Sequence, residues 1–220
     1  MRFPNAFSGV KKIWLAEILM LLAAVLSIVI IVIAATGATL SEVDGSETII
    51  ITDGLLAVIG GVGIAAALVM LVAFVLNMVG LINARKDEDS FSKALLFTCL
   101  GIVAGVVSAI WSDNTRLVKS METCTSLCNL FASYYVLTGI ANLADQMPDP
   151  ETKSIVLKSR TLLEFTFCAT AIFKLIIVLF YVQTGSTFYT ILGLIALVLE
   201  MVSYVLYLRA LSKGKSMLAR

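Results

Sequence analysis

Residues 121–144 read METCTSLCNLFASYYVLTGIANLA, and whether this run crosses a membrane decides the fold. It is apolar over most of its length but carries Thr123, Cys124, Thr125, Ser126, Asn129 and Ser133. Its neighbours are plainer. Runs 13–36, 55–84, 94–111, 161–182 and 188–211 are each apolar and close to or above the length that a helix needs to cross hydrocarbon, roughly 20 residues.

Charge placement resolves the doubtful run. Arg2, Lys11 and Lys12; Arg85, Lys86 and Lys93; Lys153, Lys158 and Arg160; and Arg209, Lys213, Lys215 and Arg220 together hold thirteen of the sixteen Lys and Arg. With six spans these four segments fall on one side, as the positive-inside rule requires. Without 121–144 the last two segments part from the first two, or the fifth and sixth spans invert. The predicted fold is therefore all-α: a polytopic membrane protein of six transmembrane helices with both termini cytoplasmic, one transmembrane domain over 1–220, expected in a bacterial cytoplasmic (plasma) membrane.

Composition agrees. The chain is 60% hydrophobic and 14% charged, with mean hydropathy +1.00, against about 45–50% and about 25% for soluble domains. Run 13–36 exceeds a signal-peptide core of roughly 7–15 residues and reads as a retained span. A formal charge of +1 gives no field to steer nucleic acid. Histidine is absent, which removes Ser-His and Cys-His sites, H-E-x-x-H zinc sites and imidazole acid–base chemistry. No phosphate loop, metal-ligand cluster, carboxylate dyad or nucleophile elbow occurs. No catalytic residue, metal or cofactor is expected, and the chain reads as a non-enzyme. Cys99, Cys124, Cys128 and Cys168 read as small apolar packing residues.

The loops carry fewer signals. Residues 37–54 are acidic through Glu42, Asp44, Glu47 and Asp53, and their TIIIT stretch, Thr48–Thr52, suits a short extended piece. Asp87-Glu88-Asp89, beside Arg85 and Lys86, reads as a solvated turn. Run 55–84 would reach about 45 Å at roughly 1.5 Å per residue, so it tilts or bends at Gly60-Gly61-Val62-Gly63. Gly101-x-x-x-Gly105 and the Gly61/Ala65 and Gly63/Ala67 pairs offer small faces for close helix approach.

A repeat is visible. Lys12-Ile-Trp-Leu-Ala-Glu17, Lys93-Ala-Leu-Leu-Phe-Thr98 and Ser159-Arg-Thr-Leu-Leu-Glu164 open the odd spans alike. Gly80-Leu-Ile-Asn83-Ala, Gly139-Ile-Ala-Asn142-Leu and Leu206-Tyr-Leu-Arg209-Ala close the even ones. This pattern predicts three tandem helical hairpins. Size and layout resemble membrane substrate-binding subunits of vitamin uptake systems, at the level of fold alone.

Polar residues inside the spans point to a site. Lys174 lies deep in the fifth span, where a lysine costs roughly 2.5–3.5 kcal/mol on insertion scales, and Glu200 in the sixth is its expected partner. Ser203, Tyr204 and Tyr207 continue the Glu200 face, with an interfacial aromatic belt the competing reading for both tyrosines and the favoured one for Tyr207. In the fourth span Glu122, Ser126, Asn129 and Ser133 share one face, and Tyr135, Thr138, Asn142 and Asp145 roughly the opposite one. The candidate intramembrane site is Lys174, Glu200, Ser203, Tyr204, Asn129 and Ser133. Its competing reading is structural: an ion pair fixing register and hydrogen-bonding glue between helices. Glu17 and Glu164 read as anchors to Lys12 and Arg160. The expected partners are membrane lipids and a further membrane subunit. The expected role is transport or membrane-embedded ligand binding; the alternative is a non-catalytic structural or assembly subunit.

Overall fold

A computed structural model describes the backbone of residues 2–37, 39–43, 46–50, 53–111, 115–147, 149–179 and 187–220. Within these, the side chains of 35–37, 39–43, 46–50, 53–55, 115, 116, 119, 122, 167, 170, 171, 173–179, 187–190, 192, 193, 196, 197 and 200 lie outside the described residues.

The described residues form six helices: α1 Pro4–Gly37, α2 Asp53–Ala84, α3 Ser90–Ile110, α4 Thr115–Gln146, α5 Pro150–Leu179 and α6 Thr187–Leu218. Over its described residues every apolar run is helical, save Trp111 just past the end of α3. One departure from all-α is an antiparallel hairpin between α1 and α2, β1 Thr39–Val43 with β2 Ser46–Ile50. β2 takes in the Thr48–Ile50 part of the TIIIT stretch, and the register sets Glu42 opposite Glu47. Among the described residues, four helical segments are long and apolar enough to cross a membrane: Pro4–Ala34, Leu56–Ala84, Ser90–Ile110 and Thr123–Gln146. Large apolar side chains such as Ile31, Ile64, Ile110, Leu194 and Val205 lie on the outside. Water would oppose such a surface, and lipid accepts it.

α1 and α5 begin well before their apolar segments, and both starts are capped. α1 and α5 each begin on a proline, which loses nothing at the first helical position. Asp149 caps α5: its Oδ1 accepts the Thr152 N–H at 3.0 Å. α1 is preceded by Phe3, which has no oxygen to offer, and Asp87 supplies the cap from elsewhere in the chain. Asp87 Oδ2 accepts the Ala6 N–H at 2.7 Å, and its Oδ1 accepts Asn5 Nδ2 at 2.9 Å. Glu88 Oε1 accepts the Ser90 hydroxyl at 2.9 Å and Asn142 Nδ2 at 2.8 Å. The 87–89 run is thus a tie between helix ends rather than a solvated turn.

The chain divides into two compact units: Lys12–Val79, and Met1–Lys11 with Gly80–Arg220. In the first, α2 runs unbroken through Gly60–Gly63, and a Cβ at Gly60, Gly61 or Gly63 would meet open space. Its buried residues include Ala16 and Ala23 on α1 and Ala66 and Ala73 on α2. In the second, α4 packs on α3, α5 and α6, and α5 packs on α6. Of the most apolar stretch of α4, 44% is buried, against 11–17% in α1, α2 and α3. The most polar helix is the central one, which accounts for its composition.

The second unit is densest where the basic segments gather, and the starts of odd helices meet the ends of even ones there. Besides the Asp87 and Glu88 ties, Lys213 Nζ bonds Glu151 Oε1 at 3.0 Å, and Arg2 Nη1 donates to the Gln146 carbonyl at 2.8 Å. Lys153 Nζ meets Asp145 Oδ1 at 2.6 Å. Close packing recurs there in different forms: a Cβ at Gly9 would sit 2.5 Å from the Gly80 carbonyl oxygen, and one at Gly139 would sit 2.7 Å from the Phe91 ring. In the third hairpin the Ser159 hydroxyl lies 3.2 Å from the Leu206 carbonyl. Gly80, Gly139 and Leu206 are the positions that the sequence repeat aligns.

Candidate functional site

Three stripes on α4, α5 and α6 define the site. On α4, Ser126, Asn129, Ser133, Val136, Ile140 and Ala144 follow at spacings of three and four, so they share one face. Val136, Ile140 and Ala144 are buried. Ser133 is half-buried, and Ser126 and Asn129 are exposed. The face that forms the core at the basic end becomes polar and open farther along. A Cβ at Gly101 would lie 3.3 Å from Cys128 Cβ and 3.6 Å from Asn129 Oδ1, which sets Asn129 beside α3. Gly105 meets nothing within 4 Å, so only the first glycine of that motif serves this approach.

On α6, Ser203, Tyr207, Leu211 and Gly214 form the matching stripe and are all buried. A Cβ at Gly214 would sit 2.7 Å from Ile140 Cγ2, so this face of α6 meets the Ile140 face of α4. The two helices both run toward the basic end. Counting back from the Ile140–Gly214 contact puts Ser133 about level with Tyr207 and Asn129 about level with Ser203.

On α5, Thr152, Val156, Ser159 and Thr166 are buried along one stripe. Thr166 Oγ1 and Ser203 Oγ share a hydrogen bond across α5 and α6. Ser159 Oγ lies 3.0 Å from its own Ile155 carbonyl and 3.2 Å from Leu206 O. The expected site residue Ser203 is thus held by Thr166, a partner that sequence reasoning missed. Thr166 stood in an apolar run with no charge beside it to mark it. Tyr204 is half-buried and Tyr207 buried, so Tyr207 is a core residue and not part of a surface belt.

The side chains of Lys174, Glu200 and Glu122 lie outside the described residues, and so does the expected Lys174–Glu200 ion pair. The second polar face of α4 is used up in packing. The Thr138 hydroxyl donates to its own Tyr134 carbonyl at 2.9 Å, Asn142 ties to Glu88, and Asp145 ties to Lys153. Glu164 pairs with Arg160 at 3.7 Å, as an anchor would. All four cysteines are free thiols: Cys128 is buried and Cys124 half-buried, but Cys99 and Cys168 are exposed, so packing explains only the first two. Among the described residues no cluster of acids and thiols could hold a metal ion. Outside the membrane stretches, the Asp149 carboxyl is held below its usual range, chiefly by the Thr152 backbone N–H and also by Arg220, whose Nη1 is 3.8 Å from Oδ2. No protein-family model matches the chain, and neither does any curated protein or solved structure.

Proposed function

We propose that the chain is a six-span membrane protein with its basic end in the cytoplasm, and that α4, α5 and α6 enclose a binding compartment for a small polar solute on its way into or across the membrane. One observation carries the reading. On each of these helices a stripe that is buried at the basic end runs on, at helical spacing, into polar or charged positions: Ser133, Asn129 and Ser126 on α4, Glu200 beyond Ser203 on α6, and Lys174 beyond Thr166 on α5. Charged positions at membrane depth belong on faces turned toward protein or water. Ile140 against Gly214 supplies a packed floor beneath them. Thr166 stands opposite Ser203. Lys174 is eight residues outward from the first and Glu200 three outward from the second, an axial offset of about 7.5 Å at roughly 1.5 Å per residue. That offset suits a solute with groups of both signs lying between them better than a direct ion pair.

The alternative role, a non-catalytic membrane subunit, has its own support. Among the described residues a Cβ at Gly60, Gly61 or Gly63 of α2 would meet nothing within 4 Å, and small residues of this kind let partner helices approach closely.

Thiol labelling tests the proposal. In a cysteine-free background, single cysteines at Ser126, Asn129 and Ser133 should react from outside with a membrane-impermeant reagent, and one at Val136 should not. Cysteines at Ser46 and Ser186 should react from outside, and those at Ser154 and Ser216 only from inside. Outside reaction at Ser154 overturns the six-span topology. Equal protection of Ser126, Asn129 and Val136 overturns the compartment.

A further inference from the structure

The side of α4 turned away from that compartment carries a cluster of rings and cations. Phe97 of α3 stacks on Phe131 and Tyr135 of α4, with ring centroids at 5.0 and 5.6 Å, and Tyr135 meets Tyr134 edge-on at 5.3 Å. Two cations flank the rings from opposite helices. Lys93 Nζ of α3 lies 5.7 Å from the Tyr135 centroid, and Arg160 Cζ of α5 lies 5.3 Å from the Tyr134 centroid. Both stand where their apolar spans begin, so they share one depth. Deeper along the same side, Leu96, Leu100 and Phe131 are exposed.

The Arg160 guanidinium is under-used. Its Nε is buried and has no hydrogen-bond partner. The nearest carboxylate oxygen, Glu164 Oε1, is 3.7 Å away, beyond hydrogen-bond range. Glu164 is half exposed and stands one turn from Arg160 on α5. A buried donor on a charged group is costly to leave unmade, and the guanidinium fork matches the oxygens of a phosphate or a carboxylate in two-point contact. Stacking on tyrosine holds both cations in place and leaves Arg160 Nε without a hydrogen-bond partner.

We propose that this cluster is a binding site for an anionic phospholipid of the basic-side leaflet. The phosphate sits between Lys93 and Arg160 above the Tyr134–Tyr135 pair, and an acyl chain runs along Phe97, Leu100 and Phe131. Two positive groups call for a negative headgroup, and the exposed apolar side chains just below them call for a chain attached to it. A basic pocket between helices at the membrane edge is a known geometry for such headgroups. The proposal takes from the functional reading only that the helices span a bilayer; the α4–α6 compartment is not involved.

The test measures lipid retention by the purified full chain. Wild type and variants are reconstituted in nanodiscs of phosphatidylcholine with a minor share of phosphatidylglycerol or cardiolipin. They are then moved to detergent, and the lipid that stays bound is read by native mass spectrometry. Wild type should retain the anionic lipid and raise its melting temperature with it, but not with phosphatidylcholine. Lys93→Gln and Arg160→Gln should each weaken retention about five-fold, and the pair about thirty-fold. Glu164→Gln should strengthen it. Lys158→Gln, which removes an exposed charge near the same edge but outside the ring cluster, should stay within two-fold of wild type. Equal loss from Lys158→Gln would reduce the effect to surface charge and overturn the site, as would unchanged retention by the double variant. Equal stabilisation by inorganic phosphate alone would reassign the cations to a soluble anion and overturn the lipid. Failure of the labelling at Ser126 and Asn129 leaves this outcome untouched, so the two readings fall separately.

Discussion

Adding one methyl group at Gly214 should pry α6 from α4 and open the floor of the compartment. The new Cβ would lie 2.7 Å from Ile140 Cγ2, 3.3 Å from Cδ1 and 3.5 Å from Cγ1. Ile140 is fully buried and branched at Cβ, so Cγ2 cannot swing aside without leaving its χ1 well. Two effects oppose each other. Alanine is better than glycine in a helix by about 1 kcal/mol. Overpacking of this kind costs about 1–3 kcal/mol. The net expectation for Gly214→Ala is a loss of about 1 kcal/mol, or about 2–4 °C in melting temperature for a chain of this length. Heating the purified protein in detergent and measuring the monodisperse fraction reads this directly. Ile140→Ala alone should cost about 2–5 kcal/mol through the void it leaves. The double variant should lose less than the sum, because the methyl enters that void and the positions are in contact. Gly61→Ala and Gly105→Ala, which meet nothing within 4 Å, should match or exceed wild type. In the Gly214→Ala background a cysteine at Val136 should become reactive from outside. Gly214→Ala as stable as Gly105→Ala, with a strictly additive double variant, would refute the contact and with it the closed floor.

Gly9→Ala should be worse than Gly214→Ala, because its Cβ would meet the Gly80 carbonyl oxygen at 2.5 Å, and backbone cannot turn aside; equal melting temperatures for the two would contradict this. Asp149 should carry acid sensitivity. Its folded pKa is below the ordinary carboxylate value of about 3.9, so the stability it contributes is present above that value and is lost as pH falls through the lower, folded one. Asp149→Ala should cost about 1 kcal/mol near neutral pH as a lost cap and flatten the stability profile below about pH 4, and a profile parallel to wild type there would reject the linkage. Lys174→Met with Glu200→Leu should leave a folded protein that has lost the stabilisation a bound solute confers. Either single variant matching wild type in both stability and binding would remove these positions from the site.

Much was legible in the chain itself. The helical character of the apolar runs could be read directly, because hydrocarbon forces backbone groups to pair within a helix, but the ends could not: α1 begins at Pro4 and α5 at Pro150, well before the apolar runs do. Lys174, Glu200 and Asn129 could be picked out because a polar group in a span is conspicuous by its cost. Tertiary structure alone decided which polar groups pack and which stay open. Asp87 looked like part of a solvated turn, yet it caps α1 from 81 residues away, a partnership no local pattern encodes. Thr166 carried no mark until Ser203 was seen across from it. Gly101 and Gly105 are alike in sequence, but only Gly101 meets a neighbouring helix at close range. The stripe Ser126–Asn129–Ser133 is a periodicity, and only the structure shows that the same face is buried farther along, at Val136, Ile140 and Ala144. The physical reason is common to all four. Periodicity and charge act along one helix and are written in its own residues, whereas a contact depends on the angle and register at which two helices meet, and that is settled by all the side chains between them at once.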